Sequence, residues 1–153
     1  MTNSAEQSGK SGEGKLSRIL NREIFLYLLD LEVKRARRYQ DFFCVLILKL
    51  SRLPSHDNGK EQQACYQTMA DLLTEELRDS DILGSLGETG LVALLPYADS
   101  SAGDVAKSRF EDSLRFCDFK SEGYEVMIDQ VCFPRDGSDT SDLIKKVIGT
   151  ETS

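Results

Sequence analysis

Phe42 to Leu50 is apolar at every position except Lys49, and it mixes aromatic, β-branched and aliphatic side chains without a Gly or Pro. An apolar run of that length, with no polar alternation, is the pattern of a strand covered on both faces, so the spacing predicts a central strand in a sheet. Its uninterrupted part, Phe42 to Leu48, is far shorter than the roughly 20 residues a bilayer span needs. Membrane insertion is therefore not expected.

The segments around this strand carry their own periodicities. From Asn21, an N-cap type, to about Tyr39 there is no Gly or Pro, and Ile24, Leu28 and Leu31 recur at helical spacing. The basic last turns, Lys34, Arg35, Arg37 and Arg38, suit the negative end of a helix dipole and read as a solvated cap. A polar loop with Pro54 and Asp57-Asn58-Gly59 leads to a second helix through Cys65, Met69, Leu72, Leu73 and Leu77, ending near Arg78. Ile82 to Leu86 and Leu91 to Leu95 flank Gly87-Glu88-Thr89-Gly90, whose two glycines are expected to supply the dihedrals of a tight hairpin.

A third helix, with Ala102, Ala106, Phe110 and Leu114 on one face, has the capping types Asp99, Ser100 and Ser101 at its start. Tyr124 to Phe133 reads as a strand and Pro134-Arg135-Asp136-Gly137 as a turn. Thr140 or Ser141 is expected to cap a last helix of barely two turns containing Leu143, Ile144 and Val147. The order α-β-α-β-β-α-β-α predicts an α+β fold, an α/β sandwich with helices on a mainly antiparallel sheet of four to five strands.

The chain of 153 residues fits one domain. Residues 1–15 hold three serines, three glycines and four charges with little to bury, so they read as a flexible tail or linker, and residues 16–153 as the domain. Nineteen basic against 26 acidic side chains give a net charge of −7, which opposes binding to a polyanionic backbone. Nucleic acid is thus not an expected partner. The four cysteines form no CxxC pair and His56 is the single histidine, so structural zinc is not expected. No apolar segment follows Met1 as in an export signal, so the expected location is cytoplasmic, with the cysteines as small core hydrophobes and no disulfide. Without a heptad seam, and with a negative surface, a monomer or weak dimer is expected.

Residue by residue, the chain resembles a known family. Ile19-Leu20-Asn21-Arg22-Glu23-Ile24-Phe25, then Glu32, Arg35-Ala36-Arg37-Arg38, the apolar strand, Ala70, Leu73, Leu77-Arg78, Asp81, Leu94-Leu95-Pro96 and Phe133-Pro134-Arg135-Asp136-Gly137 are similar in order and spacing to the GGDEF domains, the bacterial diguanylate cyclase family. The resemblance implies a nucleotide-cyclase-like palm and a chemistry that joins two GTP molecules into cyclic di-GMP, with metal ions bridging phosphates and carboxylates holding the metals.

The same resemblance implies that this chemistry is missing. The five signature letters fall on Gly87, Glu88, Thr89, Gly90 and Leu91, so the first glycine is kept and Thr89 and Gly90 replace the two acids. The metal-binding Asp of the family maps onto Lys49, and the basic residue before the signature onto Ser85. The segment between Lys49 and Asp81 is a few residues shorter than the family pattern, Gln62-Gln63 replace a Gly-Asp pair that helps hold guanine, and Asp57 or Asn58 could stand in for the guanine-reading Asn. The expectation is a degenerate GGDEF domain: no catalytic residues, no magnesium or other cofactor, no diguanylate cyclase activity. A slid signature with Glu88 as the surviving acid is the alternative, opposed by Asp81 and Pro96, which pin the alignment on both sides.

Many cyclases of this family carry a product-binding inhibitory site written Arg-x-x-Asp, five residues before the signature, and Arg78-Asp79-Ser80-Asp81 sits at that spacing. Arg38/Asp41, Arg109/Asp112 and Arg115/Asp118 match the same string, so only position singles it out. Arg78 could contact a phosphate or guanine edge in two places and Asp81 could accept from guanine N–H groups; the plainer reading is a helix-terminal ion pair. The expected partners are cyclic di-GMP at Arg78 and Asp81, or, with no nucleotide bound, a protein partner or neighbouring signalling domain.

Overall fold

The computed structural model describes residues 18–54 and 62–152. The expected tail, His56 and the Asp57-Asn58-Gly59 turn lie outside the described residues. A five-stranded sheet has the order β1-β3-β4-β2-β5, where β1 is Ile19–Leu20, β2 Phe43–Arg52, β3 Ile82–Ser85, β4 Gly90–Pro96 and β5 Tyr124–Phe133. All neighbours are antiparallel except the two-residue β1, which runs parallel to β3. The helices are α1 (Arg22–Arg38), α2 (Gln62–Glu76), α3 (Ser100–Arg115) and α4 (Thr140–Thr152), with a 3-10 turn at Lys120–Glu122. Among the described residues no helix is long and apolar enough to cross a membrane.

Alternation along β2 builds both core layers. Cys44, Leu46, Leu48 and Leu50 pack with Met69, Leu73 and Phe110 from α2 and α3, while Phe43, Val45 and Ile47 pack with Phe25, Leu29 and Val33 from α1 and Leu143 and Val147 from α4. Because every one of those β2 residues is buried, the strand reads as a continuous apolar run, as expected for a centre covered on both sides.

Helix α1 starts where Asn21 Oδ1 accepts from Ile24 N–H at 2.9 Å. Its buried face corrects the expected one: Phe25, Leu29, Val33 and Ala36 are inside, whereas Ile24 and Leu31 are 46% and 43% exposed. The cause lies on β3, where a Cβ on Gly84 would sit 2.7 Å from Phe25 Cβ. The missing side chain lets Phe25 lie directly on the sheet, burial worth about 1.5–3 kcal/mol for such a ring, and this fixes the helix rotation.

The basic end of α1 is a joint and not a solvated cap. Arg35 forks onto Glu32 at 2.6 and 3.1 Å, reaches Asp41 at 3.2 Å and lies over the Tyr97 ring at 4.5 Å, and Arg37 donates to the Ser138 carbonyl at 2.7 Å. At the other end of the chain, Asp139 Oδ1, not Thr140 or Ser141, accepts from Asp142 N–H at 2.8 Å and caps α4. Thr140 Oγ1 donates instead to Asp30 Oδ1 at 2.7 Å, tying α4 to α1. That helix runs 13 residues, well beyond two turns.

Candidate functional site

The hairpin between β3 and β4 closes through Leu86 N–H to the Gly90 carbonyl at 2.9 Å. Only Gly87 uses a left-handed backbone there, with φ at 123°; Gly90 is required for closeness instead, since a Cβ would lie 3.1 Å from Leu86 Cβ. The tip is docked on the end of β2, where Leu50 N–H donates to the Thr89 carbonyl at 2.8 Å and Lys49 pairs with Gly90 across the ladder. Ser85 Oγ accepts from the Tyr66 hydroxyl at 3.1 Å and from Gly87 N–H at 3.2 Å, so its position serves the hairpin's own hydrogen bonding. Gln62 and Gln63 open α2.

The structure therefore brings Lys49, Thr89 and Gly90 together at one end of the sheet. Glu88, exposed at the tip, is the one carboxylate of that hairpin. Among the described residues no group of three or more His, Cys, Asp and Glu could hold a metal ion.

Arg78 and Asp81 lie at the C-terminal end of α2. Asp81 N–H donates to the Arg78 carbonyl at 3.0 Å and Asp81 Oδ2 accepts from Arg78 N–H at 2.9 Å, a closed turn that fixes the carboxylate inward. Its side chain is 4% exposed, and Oδ1 is buried with no hydrogen-bond partner, 3.8 Å from the Arg78 guanidinium, which is 68% exposed. An orphaned buried acceptor is costly, on the order of 1–3 kcal/mol, and the Arg78 guanidinium is the nearby charge that offsets part of that cost. Arg18 braces the turn by donating to the Arg78 carbonyl and, at 3.4 Å, to that of Asp81.

These two residues line a cleft of about 620 Å³ between α2 and α3, floored by Leu77, Leu95 and Phe110. Its far wall carries Arg109, whose Nε is 3.3 Å from Glu76 Oε1, while Ser113 Oγ donates to Glu76 Oε2 at 3.1 Å. Sequence reasoning missed Arg109 and the cleft. The available signal was the repetition of Ala98, Ala102 and Ala106 at four-residue spacing, small side chains that leave room beside Arg109.

A protein-family model described as diguanylate cyclase, GGDEF domain, matches residues 14–147. No curated protein matches the chain in sequence. Among solved structures, a DGC protein from Thermotoga maritima superposes with a TM-score of 0.75 at 17% identity, covering 88% of this chain and 97% of that one. The diguanylate cyclase SiaD of Pseudomonas aeruginosa, solved with its activator SiaC, gives 0.65 at 17% identity over 97% of this chain and 63% of that one. A microbial GGDEF domain whose interaction with cyclic di-GMP was described gives 0.65 at 16% identity over 86% and 84%. At these identities the likeness speaks to the fold.

Proposed function

This chain belongs to the diguanylate cyclase GGDEF-domain family, and from that premise we propose that it makes no cyclic di-GMP and instead acts in signalling, receiving cyclic di-GMP at Arg78 and Asp81. The observation that carries the first half is the pairing of Lys49 with Gly90 beside Thr89. The family's reaction needs magnesium held by carboxylates, and the donor set here does not fit that ion: an ammonium, a hydroxyl and a bare glycine surround the position, with Glu88 alone at the tip. Two unit charges about 4 Å apart interact by about 4 kcal/mol at an effective dielectric near 20, so an ammonium in place of a carboxylate turns a large attraction for a divalent ion into repulsion.

The second half rests on the cleft. A guanidinium that is exposed suits a phosphate or a guanine edge, and the buried Asp81 Oδ1 can accept from a guanine N–H, neither contact requiring metal. Arg109 adds a second cation once its bond to Glu76 is exchanged for a phosphate. That a related GGDEF domain is described in interaction with cyclic di-GMP supports this ligand class. Calorimetric titration of the purified chain with cyclic di-GMP and with GTP tests it. Heat with cyclic di-GMP alone is expected; heat with GTP that Lys49→Ala removes would put the nucleotide in the wrong cleft.

A second reading, a protein-interaction module without nucleotide, is favoured by the exposed Ile24, Tyr27 and Leu31 along α1. It would be left standing if neither nucleotide bound.

A further inference from the structure

Cys44 on β2 and Cys132 on β5 stand directly opposite one another, both buried, with their sulfurs in contact at 2.6 Å. The hydrogen bonding of Cys132 defines the kind of pair they make. Its N–H donates to Asp136 Oδ2 at 2.8 Å and its carbonyl accepts from Asp136 N–H at 2.7 Å. Both backbone groups therefore point away from β2, toward the turn after β5. In an antiparallel ladder this is a non-hydrogen-bonded pair, the narrow kind with Cα atoms about 4.5 Å apart and side chains closest together. A disulfide asks for a Cα separation of about 4.4–6.8 Å, so the bond can form here without moving either strand.

The surroundings keep the sulfurs together beneath the start of α3. The Gln130 side-chain amide donates to Cys132 Sγ at 3.2 Å and to the Ser100 carbonyl at 3.1 Å, and Cys44 Sγ donates to the Asp99 carbonyl at 3.2 Å. Gly103 closes over them, and a Cβ there would come within 2.8 Å of Cys44 Sγ. The pair is thus roofed by the first turn of α3, and helix ends are where local opening is easiest. Neither thiol has any part in the cleft at Arg78.

We propose that Cys44 and Cys132 form an oxidation site, which hydrogen peroxide converts to a cross-strand disulfide. One sulfur, as thiolate, attacks the O–O bond; an S–O bond forms, hydroxide leaves and takes up the thiol proton as water. The second sulfur then attacks the sulfenic sulfur, the S–S bond forms, the S–O bond breaks and the departing hydroxide takes the second thiol proton. Two thiols and one peroxide give one disulfide and two waters, the sulfurs losing the two electrons that the peroxide gains. Burial pushes the Cys44 thiol above its ordinary range, with the adjacent Cys132 adding to the effect, so the first step waits on opening of the α3 turn. The bond would join positions 88 residues apart and enclose β3, β4, α2 and α3, so the oxidised chain resists unfolding more than the reduced one.

The test treats the reduced full chain with hydrogen peroxide, blocks remaining thiols by alkylation and maps the peptides. The expected result is loss of two hydrogens, one cross-link joining Cys44 to Cys132, reversal by dithiothreitol and a higher unfolding midpoint for the oxidised form. The Cys65→Ser/Cys117→Ser variant should still form the link, and Cys132→Ser should not. Cys44 and Cys132 remaining open to alkylation after Cys117 has been oxidised would overturn the proposal, as would a link that joins Cys65 to Cys117 or one chain to another.

Discussion

Lys49 stands directly across the β2–β4 ladder from Gly90. The resemblance maps the family's metal-binding Asp onto Lys49 and one of its two signature acids onto Gly90, and on that mapping a single rung of the sheet holds a cation and no side chain at all. The two positions share that rung although they are about 40 residues apart in sequence.

Placing acids at that corner should create a cation site. Lys49→Asp combined with Thr89→Asp adds two carboxylates near Glu88 and removes the ammonium, so it is expected to bind manganese measurably by calorimetry, with Lys49→Ala showing none. Gly90 is not the place to add one, because Leu86 crowds it.

In the α2–α3 cleft, Arg78→Ala should weaken cyclic di-GMP binding by roughly ten- to a hundredfold, the loss of one charge-assisted contact. Arg109→Ala should weaken it in the same direction, and Lys49→Ala should leave it unchanged. Titrating the three variants in parallel checks the assignment, and equal affinities for all three would place the ligand elsewhere.

Two glycines give opposite expectations. Gly84→Ala drives a Cβ into Phe25 and should destabilise the fold by about 1–3 kcal/mol, whereas Gly149→Ala in α4 meets nothing within 4 Å and should stabilise by about 0.5–1 kcal/mol. Urea unfolding midpoints measure both.

Asp136 links acid stability to the turn after β5. The Arg135 guanidinium, and next the Cys132 N–H, hold its carboxyl below the usual carboxylate range. A depressed folded value means that the contribution is complete above the unfolded value, about 4, and is lost as pH falls through the folded one. Asp136→Asn should therefore lower stability at pH 7 by on the order of 1 kcal/mol, and the gap to the unaltered chain should close at strongly acid pH. A gap independent of pH in urea unfolding would remove the charge from the explanation.

What was legible in the sequence was local. The β2 run, the Asn21 cap and the hairpin punctuated by Gly87 are each written within a few residues and appear where expected, and of the three capping types before the third helix Asp99 is the one used. The rotation of α1 was not, because Phe25 is buried by the absence of a side chain at Gly84, far along the chain. The two-residue β1 is too short to show a period, and Arg109 joins Arg78 and Asp81 only once α2 and α3 pack. The family resemblance singled out Arg78, Asp81 and Lys49 as candidates, while their surroundings had to come from the fold.

The most direct measurement of the central claim is synthesis of cyclic di-GMP by the purified chain from GTP with magnesium or manganese. The expected product is no greater than in a control without protein, and it should remain so in Glu88→Ala. Cyclic di-GMP formed above the control, and abolished by Glu88→Ala, would contradict the claim and make the hairpin an active signature.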